Sequence, residues 1–246
     1  MNVKIISGQK YYSLKYGEFV VDKYVNCYEV FIHFLDTGTK VVTSADQIRK
    51  GKVKDVNAPT RFGVGYLGEG VYRASENKKN TKAYSIWSAM LKRCYSGHPE
   101  FASYKGCTIC EEWHNFQNFA KWFYENHIDG FQLDKDFISF GNKVYGPEFC
   151  SFVPSEINSF MPRYEKSEAG SYGIAKLSAG FLVHQQENGI STFRQVYPSL
   201  QDASNALHSF KKEKAKSLAL KWKNNLDYRV YENLIDFNVE HYINSR

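Results

Sequence analysis

The sequence predicts an α+β protein in three parts. These are a small N-terminal β domain, a ββα segment with flanking helices, and a C-terminal three-stranded sheet plus helix. Three observations carry that expectation. Apolar and polar residues alternate with a period of two from Glu18 to Ala45. From Lys82 the apolar spacing lengthens to three and four, as on one face of a helix. After Gly173, three short β-rich runs precede a long stretch of helical spacing.

Residues 1–62 form the β-rich part. EFVVDKYV, YEVFIHFL and TKVVTSA are rich in Val, Ile and Tyr, and Asp36-Thr37-Gly38 marks a turn that predicts a hairpin of strands 28–35 and 39–43. SADQIRKGKVKD then reads as a basic loop carrying Arg49, Lys50, Lys52 and Lys54. Residues 63–81 read as a linker. GVGYLG, at 63–68, matches G-x-G-x-x-G, but Glu69, Gly70 and a polar run follow where a dinucleotide site needs a helix to open. The dinucleotide reading is therefore rejected.

Residues 82–160 hold two helices and the central segment. Tyr84, Trp87, Met90, Leu91 and Cys94 mark the face of the first helix, and Phe116, Phe119, Ala120 and Phe123 that of the second. Between them lies YKGCTICEEW. From Leu133 to Asn158 the chain reads strand, loop, strand, helix: a strand ending in Asp134 and Asp136, a Gly141-Asn142-Lys143 turn, the apolar run Phe149–Val153, and a helix opening at Ser155. Residues 161–171 read as a second linker. Residues 172–246 supply GIAKL, GFLVHQQ and STFRQVY as strands. A helix follows, with Ser199 as N-cap, Asp202 three residues on, and Ala203, Ala206, Leu207 and Phe210 as its face. A lysine-rich helix follows or continues it. The tail from Tyr228 predicts a further helix, packing through Tyr231, Leu234 and Ile235.

The net charge of +6 and the pI of about 8.9 suit a polyanionic partner, while 26 acids against 32 bases argue against a histone-like tail. No apolar run is long enough for a membrane span, and MNVKIISGQKYY lacks the pattern of a signal peptide, so a cytoplasmic protein with reduced thiols is expected.

IWSAMLKRCY, YKGCTICEEWHNFQNFAKWF and LDKDFISFGNKVYGPEFCSFVPSEIN, in that order, resemble the H-N-H-type endonuclease-like proteins of tailed bacteriophages. The most specific elements are Trp87 with Arg93-Cys94-Tyr95, Cys110 with Glu112-Trp113, and Gly141-Asn142 followed by Pro147-Glu148 and Cys150. Residues 172–222 are similar to the three-stranded-sheet-plus-helix domain of ethylene-response DNA-binding proteins, through Gly173, Gly180-Phe181-Leu182-Val183, Tyr197, Ala203 and Ala206. Together the resemblances cover somewhat over half the chain and leave the N-terminal β region unexplained.

The resemblance implies double-stranded DNA as the ligand, read by the exposed face of the sheet. Lys176, His184, Gln186 and Arg194 are the strand residues suited to this. Arg and Gln make bidentate contacts to guanine and adenine. Which alternate residues of strand 181–186 face outward stays open. It also implies a finger that hydrolyses a phosphodiester with a histidine base and one divalent cation, here magnesium. By position, Asp134 and Asn158 are the magnesium ligands, Asn142 is the turn asparagine, Asp136 is a substitute ligand or base, and Lys135 stands where the histidine base belongs. His114 and His127 are alternative imidazoles. Two functions follow: a metal-dependent endonuclease with an altered base, or a DNA-binding or partner-binding protein that keeps the finger as a scaffold, including one that inhibits a host enzyme.

Cys107 and Cys110 form C-x-x-C, and with Cys94 and Cys150 they make a candidate zinc set. Cys94 and Cys150 lack a partner at short spacing, so buried free thiols are favoured over zinc. Cys27 is expected in the N-terminal core.

Overall fold

A computed structural model describes residues 4–160, 173–187 and 190–240, without the side chain at 187. It is a mixed α+β structure with several small sheets, and it divides into two compact units, Met1–Glu125 and Asn126–Arg246. The linker expected at 161–171 lies outside the described residues. Among the described residues no helix is long and apolar enough to cross a membrane.

The first unit opens with β1 (Lys10–Ser13), β2 (Gly17–Asn26), β3 (Glu29–Phe34) and β4 (Lys40–Thr43), an antiparallel meander in that order. The predicted hairpin is β3–β4, with Ile32 opposite Val41. One side of the alternation is inward: Phe19, Val21, Val30, Ile32 and Phe34 are fully buried and pack with Ala45, Ile48 and Val53. The loop expected after the sheet contains a short helix, α1 (Ala45–Arg49). Ser44 caps it, its hydroxyl accepting the Gln47 N–H, and burial of Ala45 and Ile48 anchors it. Cys27 is exposed, contrary to expectation, because it sits in the turn between β2 and β3 rather than on an inward strand position.

Residues 61–81 hold more order than the linker expected there. Arg61 and Gly65 form an isolated bridge, and the polar run closes a tight hairpin of β5 (Ser75–Glu76) and β6 (Lys79–Asn80). Asn77 and Lys78 form its turn with φ of 49° and 64°, the left-handed pair that such a two-residue turn requires. The glycines of the 63–70 stretch serve close packing. A Cβ on Gly68 would lie 2.1 Å from Asn115 Oδ1, and one on Gly70 2.3 Å from Gln117 Oε1. Two later elements complete the core, α2 (Lys82–Tyr95) and, after the short strand β7 (Thr108–Ile109), α3 (Phe116–Asn126). Their predicted faces are buried except at Cys94, which is partly so, and Trp87 donates its indole N–H to the Trp113 carbonyl at 2.7 Å.

The second unit begins with β8 (Phe131–Asp134). The short strand β9 (Val144–Tyr145) follows, then β10 (Ser151–Pro154) and α4 (Ser155–Phe160). β8 and β10 pair antiparallel, Asp134 opposite Ser151 and Gln132 opposite Val153. Next come β11 (Ile174–Leu177), β12 (Gly180–Glu187) and β13 (Ile190–Tyr197), an antiparallel sheet in chain order. The helix α5 runs unbroken from Leu200 to Trp222, so the lysine-rich stretch continues the first helix, and α6 spans Tyr228–Ile235. Ser199 accepts the Asp202 N–H at 3.1 Å, as its cap position predicts.

Among the described residues, two clusters of buried side chains stand out in this unit. Ile174 and Val183 pack on Ala203 and Leu207, joining the sheet to the first half of α5. The second half of α5, with α6, packs on the finger segment: Ala215, Leu218, Ala219, Val230, Leu234 and Phe237 surround Phe137, Val153, Ile157 and Phe160. The finger segment thus shares a core with helices more than fifty residues further along the chain.

Candidate finger loop and nucleic-acid face

At the end of β8 the chain turns into a loop held by its own polar side chains. Asp134 Oδ1 accepts the backbone N–H groups of Asp136 and Phe137, both at 2.8 Å, which bends the chain directly after the strand. Lys135 is 8% exposed. Its ammonium donates to Asp136 Oδ1 at 2.7 Å and to the Asn142 carbonyl at 2.9 Å, and lies 5.9 Å from the centre of the Tyr145 ring. Asn142 closes the loop's far side: its amide donates to the Val144 carbonyl at 2.6 Å and its Oδ1 accepts the Val144 N–H at 3.0 Å. Asp134, Lys135, Asp136 and Asn142 therefore form one connected network, bonded mostly to the loop itself.

Burial of the Asp134 carboxyl, with the nearby Asp136 charge adding, raises its pKa to about 6; the two backbone N–H groups and Lys135 act against the rise. Asn158 is placed apart. From α4 it donates to Gln132 Oε1 at 2.6 Å, two residues before Asp134 on the same side of β8. The two alternative imidazoles are held elsewhere by their ring contacts. The His127 ring stands edge-on to Phe152 at 5.0 Å, and Phe152 pairs with Leu133, on the opposite side of the strand from Asp134. His114 belongs to the other unit, edge-on to Tyr95.

Among the expected magnesium ligands, Asp134 Oδ1 is committed to two backbone donors and the Asn158 amide nitrogen is turned to Gln132, while Asp136 pairs with the Lys135 ammonium. Among the described residues no group of three or more His, Cys, Asp or Glu side chains could hold a metal ion. No disulfide links the cysteines. Cys107 and Cys150 are buried and Cys94 is partly so; burial pushes the Cys110 thiol pKa up.

Residues distant in sequence clamp the loop and were not legible as site residues. Asn233 of α6 donates to the carbonyls of Phe137 and Ile138 at 2.7 and 3.0 Å. Arg229, forked on Asp227, donates to the Glu148 carbonyl at 2.9 Å. Glu156 bonds Lys221 and the Trp222 indole N–H. Burial opposes its ionisation, but these bonds outweigh it and hold the carboxyl below its usual range.

The three-stranded sheet resolves the alternation left open above. Phe181 and Val183 face α5, with Phe193 and Tyr197 beside them; Leu182, His184 and Gln186 face away. His184 lies directly opposite Arg194, and Gln186 Nε2 is 3.4 Å from His184 Nε2. Three of the four expected reading residues thus share one outward face, with Val196 43% exposed among them. Lys176 does not join them. It pairs with Phe181, so its side chain leaves the sheet on the helix side, exposed at the edge. No protein-family model, curated protein or solved structure matches the chain.

Proposed function

We propose that the protein binds double-stranded DNA with the outward face of β12 and β13, and that the finger segment serves as a scaffold rather than a cutting centre. The carrying observation is the pairing of His184 with Arg194 on an exposed strand face, with Gln186 alongside. Those side chains have the donors and acceptors that read base edges in a major groove, and exposed Val196 suits a thymine methyl. The +6 charge adds a sequence-independent attraction. The order β8, β10, α4 and the packing of the β11–β13 sheet on α5 support the resemblances to an H-N-H-type finger and to the ethylene-response-type domain, and with them a phage protein working in a bacterial cytoplasm. The scaffold half rests on Lys135, whose ammonium is tied into the loop where a base would need a free lone pair.

Anisotropy of a labelled DNA duplex tests the binding half. Arg194→Ala is expected to weaken binding about tenfold, and wild-type affinity in that variant would sink the sheet-face reading. Incubation with plasmid DNA and Mg²⁺ or Mn²⁺ tests the other half: cutting by the wild type that is lost in Asp134→Asn would establish a nuclease and overturn the scaffold.

A further inference from the structure

A cleft of about 820 Å³ opens inside the second unit, between the finger segment, the β12–β13 side of the sheet and the middle of α5. Gln132 and Asn158, already bonded to each other, line it from the finger; Gln186 and Thr192 line it from the sheet; Lys211 and Lys214 line it from α5. Lys211 is placed in advance, donating to the Phe160 carbonyl at 3.2 Å and lying 4.9 Å from the Phe160 ring centre. Lys214 stands one helical turn further along the same face. On the acidic side, Glu156 is engaged by Lys221 and Trp222 and feels the Lys214 charge as well, while Asp129 projects into solvent with its side chain 97% exposed. The cleft therefore offers amide and hydroxyl groups beside a positive wall. Gln186, which also touches His184, joins it to the outward face of the sheet.

We propose that this cleft holds the sugar–phosphate backbone of the DNA whose bases the sheet reads. Lys211 and Lys214 neutralise phosphates, and the Gln132–Asn158 pair donates to phosphate oxygens. The Asn158 position thereby acts in backbone contact instead of metal ligation. This rests on the DNA-binding reading above. Phosphate contacts fix register without reading sequence, and a site beside the reading face is where they are needed.

Titration of a short labelled duplex against salt tests it. Lys214→Gln is expected to bind roughly eightfold more weakly at about 0.1 M salt and to lower the slope of log K against log salt by about 0.9, the signature of one lost phosphate contact. Lys214→Arg should retain both, and Asn158→Ala should weaken binding with the slope unchanged. Lys212→Gln and Lys216→Gln, exposed on the same helix outside the cleft, should bind as the wild type. Circular dichroism of each variant separates lost contact from lost fold. Equal losses in the cleft and control lysines would overturn the cleft. So would wild-type binding by Lys214→Gln while Arg194→Ala is impaired, which leaves the sheet-face reading standing. Failure of the wild-type protein to bind the duplex would overturn both.

Discussion

The loop from Asp134 to Asn142 and the outward face of β12 and β13 carry similar polar side chains, and the fold uses them in opposite ways. In the loop, the Lys135 ammonium and the Asp134 and Asn142 side chains bond to loop groups within seven residues. On the sheet, His184, Gln186 and Arg194 extend from a rigid backing of Val183, Ile174 and Leu207 into solvent. A polar group that satisfies its own backbone stabilises the fold and has little left to offer a ligand, whereas one raised on a packed sheet is placed for recognition at small cost to the core. Residue type alone does not separate the two; the destination of the hydrogen bonds does.

That contrast can be broken from either side. The largest effect is expected at Lys135. Its side chain is 10% exposed and its partner Asp136 18%, so Lys135→Met leaves a poorly solvated carboxylate without its cation and should lower stability by about 3 kcal/mol in urea unfolding. A neutral result would mean that the loop is not held by this ion pair. Asp134→Asn comes next, with the opposite sign. The amide oxygen can still accept the two backbone N–H groups, while the ionisation penalty disappears. Because the folded pKa of Asp134, about 6, lies above its unfolded value, the wild type loses stability as pH rises through that range. The variant should therefore be more stable by about 1–3 kcal/mol above pH 7, and the gain should vanish below about pH 4. Melting curves across pH would show it; a variant less stable at high pH would mean that the carboxylate charge is used in the fold.

Arg194→Ala, the test of DNA binding, should leave stability within about 0.5 kcal/mol of the wild type, since the side chain is exposed. A marked drop would make Arg194 structural and erase the contrast. The smallest effect is expected at Asn158. Its bond to Gln132 is exposed, so Asn158→Ala should cost less than about 0.5 kcal/mol in thermal unfolding, and a larger loss would place Asn158 with the locked loop.

Much of this was readable in the string of residues because it depends on neighbours. The periodicities place Phe19 and Ile32 inside the first sheet and Trp87, Phe116 and Phe123 inside the helices; Ser199 three positions before Asp202 starts α5; and Asp36-Thr37-Gly38 turns β3 into β4. Each follows from side chains within about one turn of helix or one strand pair. The short α1 and the β5–β6 hairpin escaped because five-residue helices and two-residue strands have no room for a period.

The state of the candidate site was of the other kind. Which face of β12 points outward depends on α5 lying against Val183, and no alternation along one strand can choose between its two sides. That Lys135 is a brace depends on where a flexible four-carbon chain ends, and its ends are Asp136 and a carbonyl seven residues on. Asn233 and Phe137 are ninety-six residues apart, and their hydrogen bond forms only after α6 has packed on the finger. Local patterns determine elements because their energies are local. The role of a polar side chain is settled when distant elements close over one of its alternatives and leave the other in water.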